Sequence, residues 1–144
     1  LFMSQLQTIG RIEAISILDL ELFDLDAKID TGAYSNSLHC DEITIENNFV
    51  SFRLLDKVHK AYHNKKIKMP LYKEKKVKSS NGTTEKRAFI QVKVRFFNKI
   101  YKTVVSLTNR KDMKYPMLIG RKFLQNRFLV DVSKKNLTKE KEEC

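Results

Sequence analysis

From Thr84 to Phe97 the side chains alternate strictly: Phe89, Gln91, Lys93 and Arg95 on one side, Ile90, Val92, Val94 and Phe96 on the other. A period of two suits an extended strand with one face in a core, and it does not suit a helix. Asn81-Gly82 separates this run from a second extended run, Lys75 to Ser79. Asn-Gly supplies the positive φ angles that a tight hairpin needs. Leu25, Ala27 and Ile29 alternate with Asp26, Lys28 and Asp30, and Ile9 to Leu18 alternates with some irregularity. Further extended runs follow at Ser37 to Cys40, Glu42 to Ile45, Phe49 to Leu55, Tyr101 to Leu107 and Phe128 to Val132, with turns at Asn47-Asn48 and near Asn98. Only Arg121 to Asn126 invites a helix, a short one just after Gly120. The chain is therefore expected to be all-β.

At 144 residues it is of single-domain size, and 42% hydrophobic residues with 10% aromatic suit a globular core. We expect one domain over residues 1–133. From Ser133 onward charge replaces hydrophobicity, and residues 134–144 read as a frayed, disordered tail. No apolar run approaches the roughly 20 residues that span a bilayer, so no membrane partner is expected. Leu1-Phe2-Met3 is too short for a signal peptide but fits the stub of a removed one, which leaves cytoplasm and periplasm both open. Cys40 and the terminal Cys144 are far apart, and a structural disulfide is not expected.

The net charge is +11, and it is uneven. Lys57 to Arg87 holds eleven Lys and Arg against only Glu74 and Glu85, a net of +9. Such a block attracts polyanions, acidic peptides and nucleic acid among them. Lysine dominates, and aromatic interleaving is limited to Tyr62 and Tyr72, which argues against a base-stacking surface. Residues 56–71 lack periodicity and read as a long exposed loop ending near Pro70.

Chemistry points to Asp30-Thr31-Gly32-Ala33. A carboxylate at the end of an apolar run, followed by a hydroxyl residue and glycine, suits an aspartate delivered by a strand into a tight turn. A second apolar run ends in glycine at Met117-Leu118-Ile119-Gly120-Arg121. His39-Cys40-Asp41 is a weak metal candidate, because adjacent strand residues point to opposite faces. His59 and His63 have i, i+4 spacing in a lysine-rich stretch that repels cations. There is no His-Glu-x-x-His and no phosphate loop, so neither a metal nor a cofactor is expected.

In combination these segments resemble the retropepsin-like aspartic proteases. More narrowly, they resemble the bacterial RimB-like family, long labelled "putative ATP-dependent zinc protease" and associated with glutamate ligases that modify ribosomal proteins. The matching residues are Ala27 to Ala33 with Leu38-His39, then Ser79 to Gly82 with Glu85 and Arg87. Leu107 to Arg110, Met113 to Arg121 and Phe128 to Asp131 complete the match. The resemblance implies a closed, barrel-like β fold in which Leu118, Ile119, Gly120 and Arg121 support the aspartate turn. It implies a flap at Ser80-Asn81-Gly82 over a substrate contacted by Ala33, Ser80, Asn81, Gly82 and Arg87, and a catalytic Asp30-Thr31-Gly32. Because such enzymes use two aspartates, it also implies a homodimer. In the narrower family, arginine or aspartate is frequent at the position of Tyr34, serine at Asn36 and aspartate at Asn109. The implied activity is an endopeptidase on peptide or protein substrates, including acidic ones such as glutamate-rich tails. The alternative is a catalytically inactive basic module that binds polyanions or nucleic acid. A metal-dependent hydrolase is a third reading, resting on the old label alone.

Overall fold

The computed structural model describes residues 6–54, 64–78, 82–109 and 114–138. In chain order the strands are β1 (Gln7–Ile9), β2 (Ile12–Ile17), β3 (Leu22–Ile29), β4 (Asn36–Glu46), β5 (Phe49–Leu54), β6 (Lys66–Pro70), β7 (Lys73–Lys78), β8 (Thr84–Phe96), β9 (Lys99–Thr108), β10 (Met117–Ile119) and β11 (Phe128–Val130). A 3-10 turn at Leu18–Leu20 and one short helix, α1 (Arg121–Leu124), complete the described structure. The fold is all-β, as the alternation predicts.

Six strands close into a barrel. Going round, β3 pairs with β2, β2 with β8, β8 with β9, β9 with β4, and β4 with β10, which returns to β3. The alternating faces explain the closure. In β8, Ile90, Val92, Val94 and Phe96 are buried, whereas Gln91, Lys93 and Arg95 are exposed. In β3, Leu25, Ala27 and Ile29 are buried between exposed Asp26 and Lys28. The interior is filled mainly by Ile, Leu, Val and Phe, and a closed ring leaves no barrel edge to solvate. At one end Phe96, Phe123 and Phe128 pack edge-on or stacked, with ring centroids 5.1–5.9 Å apart, and tie α1 to the barrel.

The turns use the residues expected of them. Asn47 and Asn48 have φ of 50° and 66°, and Phe97 and Asn98 have 50° and 61°. All lie in the left-handed region that asparagine tolerates well. Gly82 has φ of 86° in the link between β7 and β8; Ser80 and Asn81 lie outside the described residues.

Several expectations change. Residues 66–70 are not loop: they form β6, which pairs antiparallel with β5. Ile67 and Met69 are half-buried and alternate with exposed lysines, so the pattern is short and shallow. The two runs on either side of Asp41 are one strand, β4, whose register against β5 slips between Asp41 and Thr44, where Glu42 has φ of 50°. The run from Ile9 to Leu18 is broken at Gly10-Arg11 into β1 and β2, because β1 leaves the barrel to pair in parallel with β11.

Residues 134–138, expected to fray, are held down. Glu13 is fully buried, and four donors converge on its carboxylate. Oε2 accepts from the Gly10 and Leu137 N–H groups at 2.7 and 3.2 Å; Oε1 accepts from the Thr138 N–H and hydroxyl at 3.0 and 3.1 Å. The segment passes so close that a Cβ on Gly10 would lie 2.4 Å from the Lys134 carbonyl oxygen. Asp131 starts this crossing by accepting from the Ser133 hydroxyl and N–H, which hold its carboxyl below the usual aspartate range. Residues 139–144 lie outside the described residues. Glu13→Ala leaves several buried donors without an acceptor and is expected to lower stability by about 3 kcal/mol, at roughly 1–3 kcal/mol for an unsatisfied group. Urea unfolding checks this, and hydrogen exchange should show the Leu137 and Thr138 amides losing protection first.

Candidate active site

The site is built by an insertion. Strand β10 enters between β3, to which it is parallel, and the start of β4, to which it is antiparallel. Met117, Leu118 and Ile119 lie opposite Ala27, Lys28 and Ile29 on β3, and Met117 and Leu118 lie opposite Leu38 and Ser37 on β4. Asp30 follows directly on β3. Its N–H donates to the Ile119 carbonyl at 2.9 Å, so the end of β10 pins the residue that carries the carboxylate.

The turn then closes on itself. The Gly32 N–H donates to Asp30 Oδ1 at 3.0 Å, and the Ala33 N–H donates to the Asp30 carbonyl at 3.1 Å. A hydrogen bond to the charged form of a carboxylate fixes its direction as well as favouring it. Beyond the turn, the N–H groups of Arg121 and Lys122 donate to the carbonyls of Ala33 and Tyr34 at 2.8 and 2.9 Å. The Arg121 guanidinium donates to the Thr31 carbonyl at 3.0 Å and lies 5.9 Å from the centre of the Tyr34 ring. Arg121 thus braces the turn from outside. Asp30 is half-buried, whereas Thr31, Gly32 and Tyr34 are exposed.

Gly120 makes this approach sterically feasible. A Cβ there would sit 2.7 Å from the Ser35 carbonyl oxygen and 2.8 Å from the Tyr34 carbonyl carbon, and both neighbours are backbone. Leu118 is half-buried and Ile119 fully buried beneath the turn.

Asn36 carries a role that sequence reading did not assign. It is buried, and its side-chain oxygen accepts from the Gly120 N–H at 3.0 Å. Its amide nitrogen donates to Thr103 Oγ1 and the Val104 carbonyl at 3.2 and 3.3 Å, and its own carbonyl accepts from the Ser106 hydroxyl at 3.1 Å. One amide therefore couples β10 to β9. The sequence signal was the departure of Asn36 from the serine that the family resemblance implies, a residue whose single hydroxyl cannot span both strands.

The remaining sequence candidates are spread more widely. Arg87 lies on β8, where its guanidinium donates to Glu85 at 3.1 Å; its buried Nε has no hydrogen-bond partner. It lines a cavity of about 1020 Å³ between the β7–β8 hairpin, β4 and the end of β9. Gly82 is exposed, and Asn109 donates to Asp41 at 3.3 Å. His39 and Cys40 are both buried, in keeping with structural roles. His59, His63 and Arg110 lie outside the described residues. No group of three or more His, Cys, Asp or Glu residues gathers as a metal site among the described residues.

A family model described as "Retropepsin-like aspartic endopeptidase RimB" matches residues 8–141. The chain belongs to the RimB-like family. It is 32% identical over 117 residues to a probable alpha-L-glutamate ligase of Shewanella pealeana, covering 76% of this chain and 25% of that protein. A protein of the same name from Parasynechococcus marenigrum is 30% identical over 131 residues, covering 85% and 27%. The chain thus spans about a quarter of the length of these curated relatives. A crystal structure of a Legionella pneumophila protein of unknown function superposes with a TM-score of 0.71 at 30% identity, covering 92% of this chain and 98% of that one.

Two substitutions separate the supports of this RimB-like turn. Asn36→Ala removes both the acceptor for Gly120 and the donor to β9, and should cost about 2 kcal/mol, within the usual range for a buried polar group left unpaired. Asn36→Asp keeps the acceptor but sets a buried carboxylate oxygen against the Val104 carbonyl, so at neutral pH it should cost at least as much as Asn36→Ala. Thermal unfolding of the two variants side by side checks the order.

Proposed function

We propose that the protein is an aspartic peptidase that works as a homodimer, each copy supplying one Asp30. The observation that carries this reading is the turn itself: a half-buried carboxylate, oriented by the Gly32 N–H, at the tip of a turn whose next residues face solvent. A single carboxylate cannot act as both proton acceptor and acid in this chemistry. A second copy brought up on a twofold axis would place its own Asp30 beside the first. Two carboxylates that close share one proton, because both cannot ionise cheaply. The ionised member takes a proton from a water molecule, and the water oxygen attacks the peptide carbonyl carbon. The protonated member donates a hydrogen bond to the developing oxyanion. Arg121 and Asn36 hold the turn in place during this exchange and do not touch the substrate. The β7–β8 hairpin serves as the cover that excludes bulk water.

The substrate reading follows from charge. A chain of +11, with ten of its 21 lysines on β6, β7, β8 and β9, favours acidic peptides. The relatives' name, glutamate ligase, supports a connection to glutamate chains.

Asp30→Asn is expected to keep the melting temperature within a few degrees and to abolish cleavage of a glutamate-rich peptide; undiminished cleavage would refute the reading. Sedimentation under assay conditions is expected to show a dimer, and full activity from a strictly monomeric species would rule out the shared dyad. Cleavage of the acidic peptide should also fall steeply with salt, since exposed charges are screened beyond about 10 Å at 0.1 M.

A further inference from the structure

A second pocket, of about 230 Å³, opens beside the aspartate turn. One wall is Tyr34, Ser35 and Asn36, the continuation of the turn; the floor is the outer face of β7, β8 and β9, where Phe89 and Val104 contribute apolar surface. Five cations line it, Lys73, Lys75, Lys102, Lys122 and Arg127, and no carboxylate does. Two of these are already engaged. The Lys73 ammonium sits 4.8 Å from the centre of the Phe89 ring, and Arg127 donates to the Phe123 carbonyl while lying against Tyr101 and Phe123. Lys75, Lys102 and Lys122 form no ion pair with a carboxylate among the described residues.

The strand register adds a second observation. Lys102 lies directly opposite Lys93; Lys75 lies opposite Arg87, whose charge is already met by Glu85 at 3.1 Å. Like charges at facing positions of a sheet are destabilising. A glutamate at either position of the Lys93–Lys102 pair would relieve the repulsion, yet both are lysine. A visiting anion would relieve it equally well.

We infer that this pocket is a specificity subsite that receives an acidic side chain of the substrate. Lys75, Lys102 and Lys122 supply the charge, and Phe89 and Val104 supply a seat for the methylenes. The inference rests on the peptidase reading above. The pocket is bounded by Tyr34 to Asn36 and not by Asp30 or Thr31, so it takes a residue flanking the scissile bond. An apolar floor under a cationic rim matches a carboxylate on a short hydrocarbon stem better than a bare inorganic anion. Three flexible ammonium groups, with the arginine fork already engaged, also favour a carboxylate over bidentate phosphate recognition.

The test has two parts. In the first, kcat/KM is measured for paired peptides that differ by Glu or Gln at each position flanking the cleaved bond. Wild type should prefer Glu about tenfold at one such position, the scale of one charge-assisted contact. In the Lys75→Gln/Lys102→Gln double variant that preference should fall towards one, whereas Lys99→Gln, at the start of β9 and outside the pocket lining, should retain it. A preference unchanged in the double variant overturns the subsite and leaves the peptidase reading standing. In the second part, triglutamate binding to Asp30→Asn is measured by calorimetry, with and without Lys75→Gln/Lys102→Gln. About tenfold weaker binding in the combined variant supports the subsite even if wild type cleaves nothing. Equal binding overturns it. So does displacement of triglutamate by inorganic phosphate at matching concentration, which would reveal a general anion site.

Discussion

The contact of Gly120 with the backbone of residues 34 and 35 sets the position of everything around Asp30. A side chain at position 120 would overlap that backbone, so β10 could not reach its place between β3 and β4. Without β10 the barrel has a gap, and the Asp30 N–H loses the Ile119 carbonyl that receives it. Closure of the core and placement of the carboxylate are therefore one structural event. The Asn36 amide reinforces it by joining the Gly120 N–H to β9 on the far side of β4. Stability and site geometry are coupled here, and a loosened barrel would misplace the aspartate before it unfolds.

What was legible in the sequence follows from how each segment is buried. Strands β3 and β8 have one face in the barrel and one in water, so their pattern reads directly as a period of two. The Asn47-Asn48 and Asn98 turns were legible because few residues tolerate positive φ. Strand β6 was missed because it lies beyond the closed barrel, pairing with β5, where Ile67 and Met69 are only partly covered. Glu13 lies within the irregular alternation of Ile9 to Leu18, where nothing local marks it as buried. Its partners, Leu137 and Thr138, arrive from the other end of the chain, and no local pattern announces them. The turn residues Asp30 to Gly32 were legible as a triplet. The role of Asn36 was not, because Thr103, Ser106 and Gly120 become its neighbours only in the folded barrel.

Charge behaves differently from hydrophobicity in this fold. In sequence the first part of the positive block, residues 56–71, reads as one exposed loop, the arrangement that would minimise its self-repulsion. In the structure its described part is divided among β6, β7 and the start of β8, where Lys75 faces Arg87 and Lys76 faces Lys86. Pairing those strands costs electrostatic energy that the buried residues Ile90, Val92, Val94 and Val105 must offset. A lysine-rich surface kept only for solubility needs no such concentration beside one pocket, since dispersed lysines would serve equally well. The repulsion is lowest in energy when an anion is present. The same arrangement that weakens the free protein would therefore strengthen a complex with an anion.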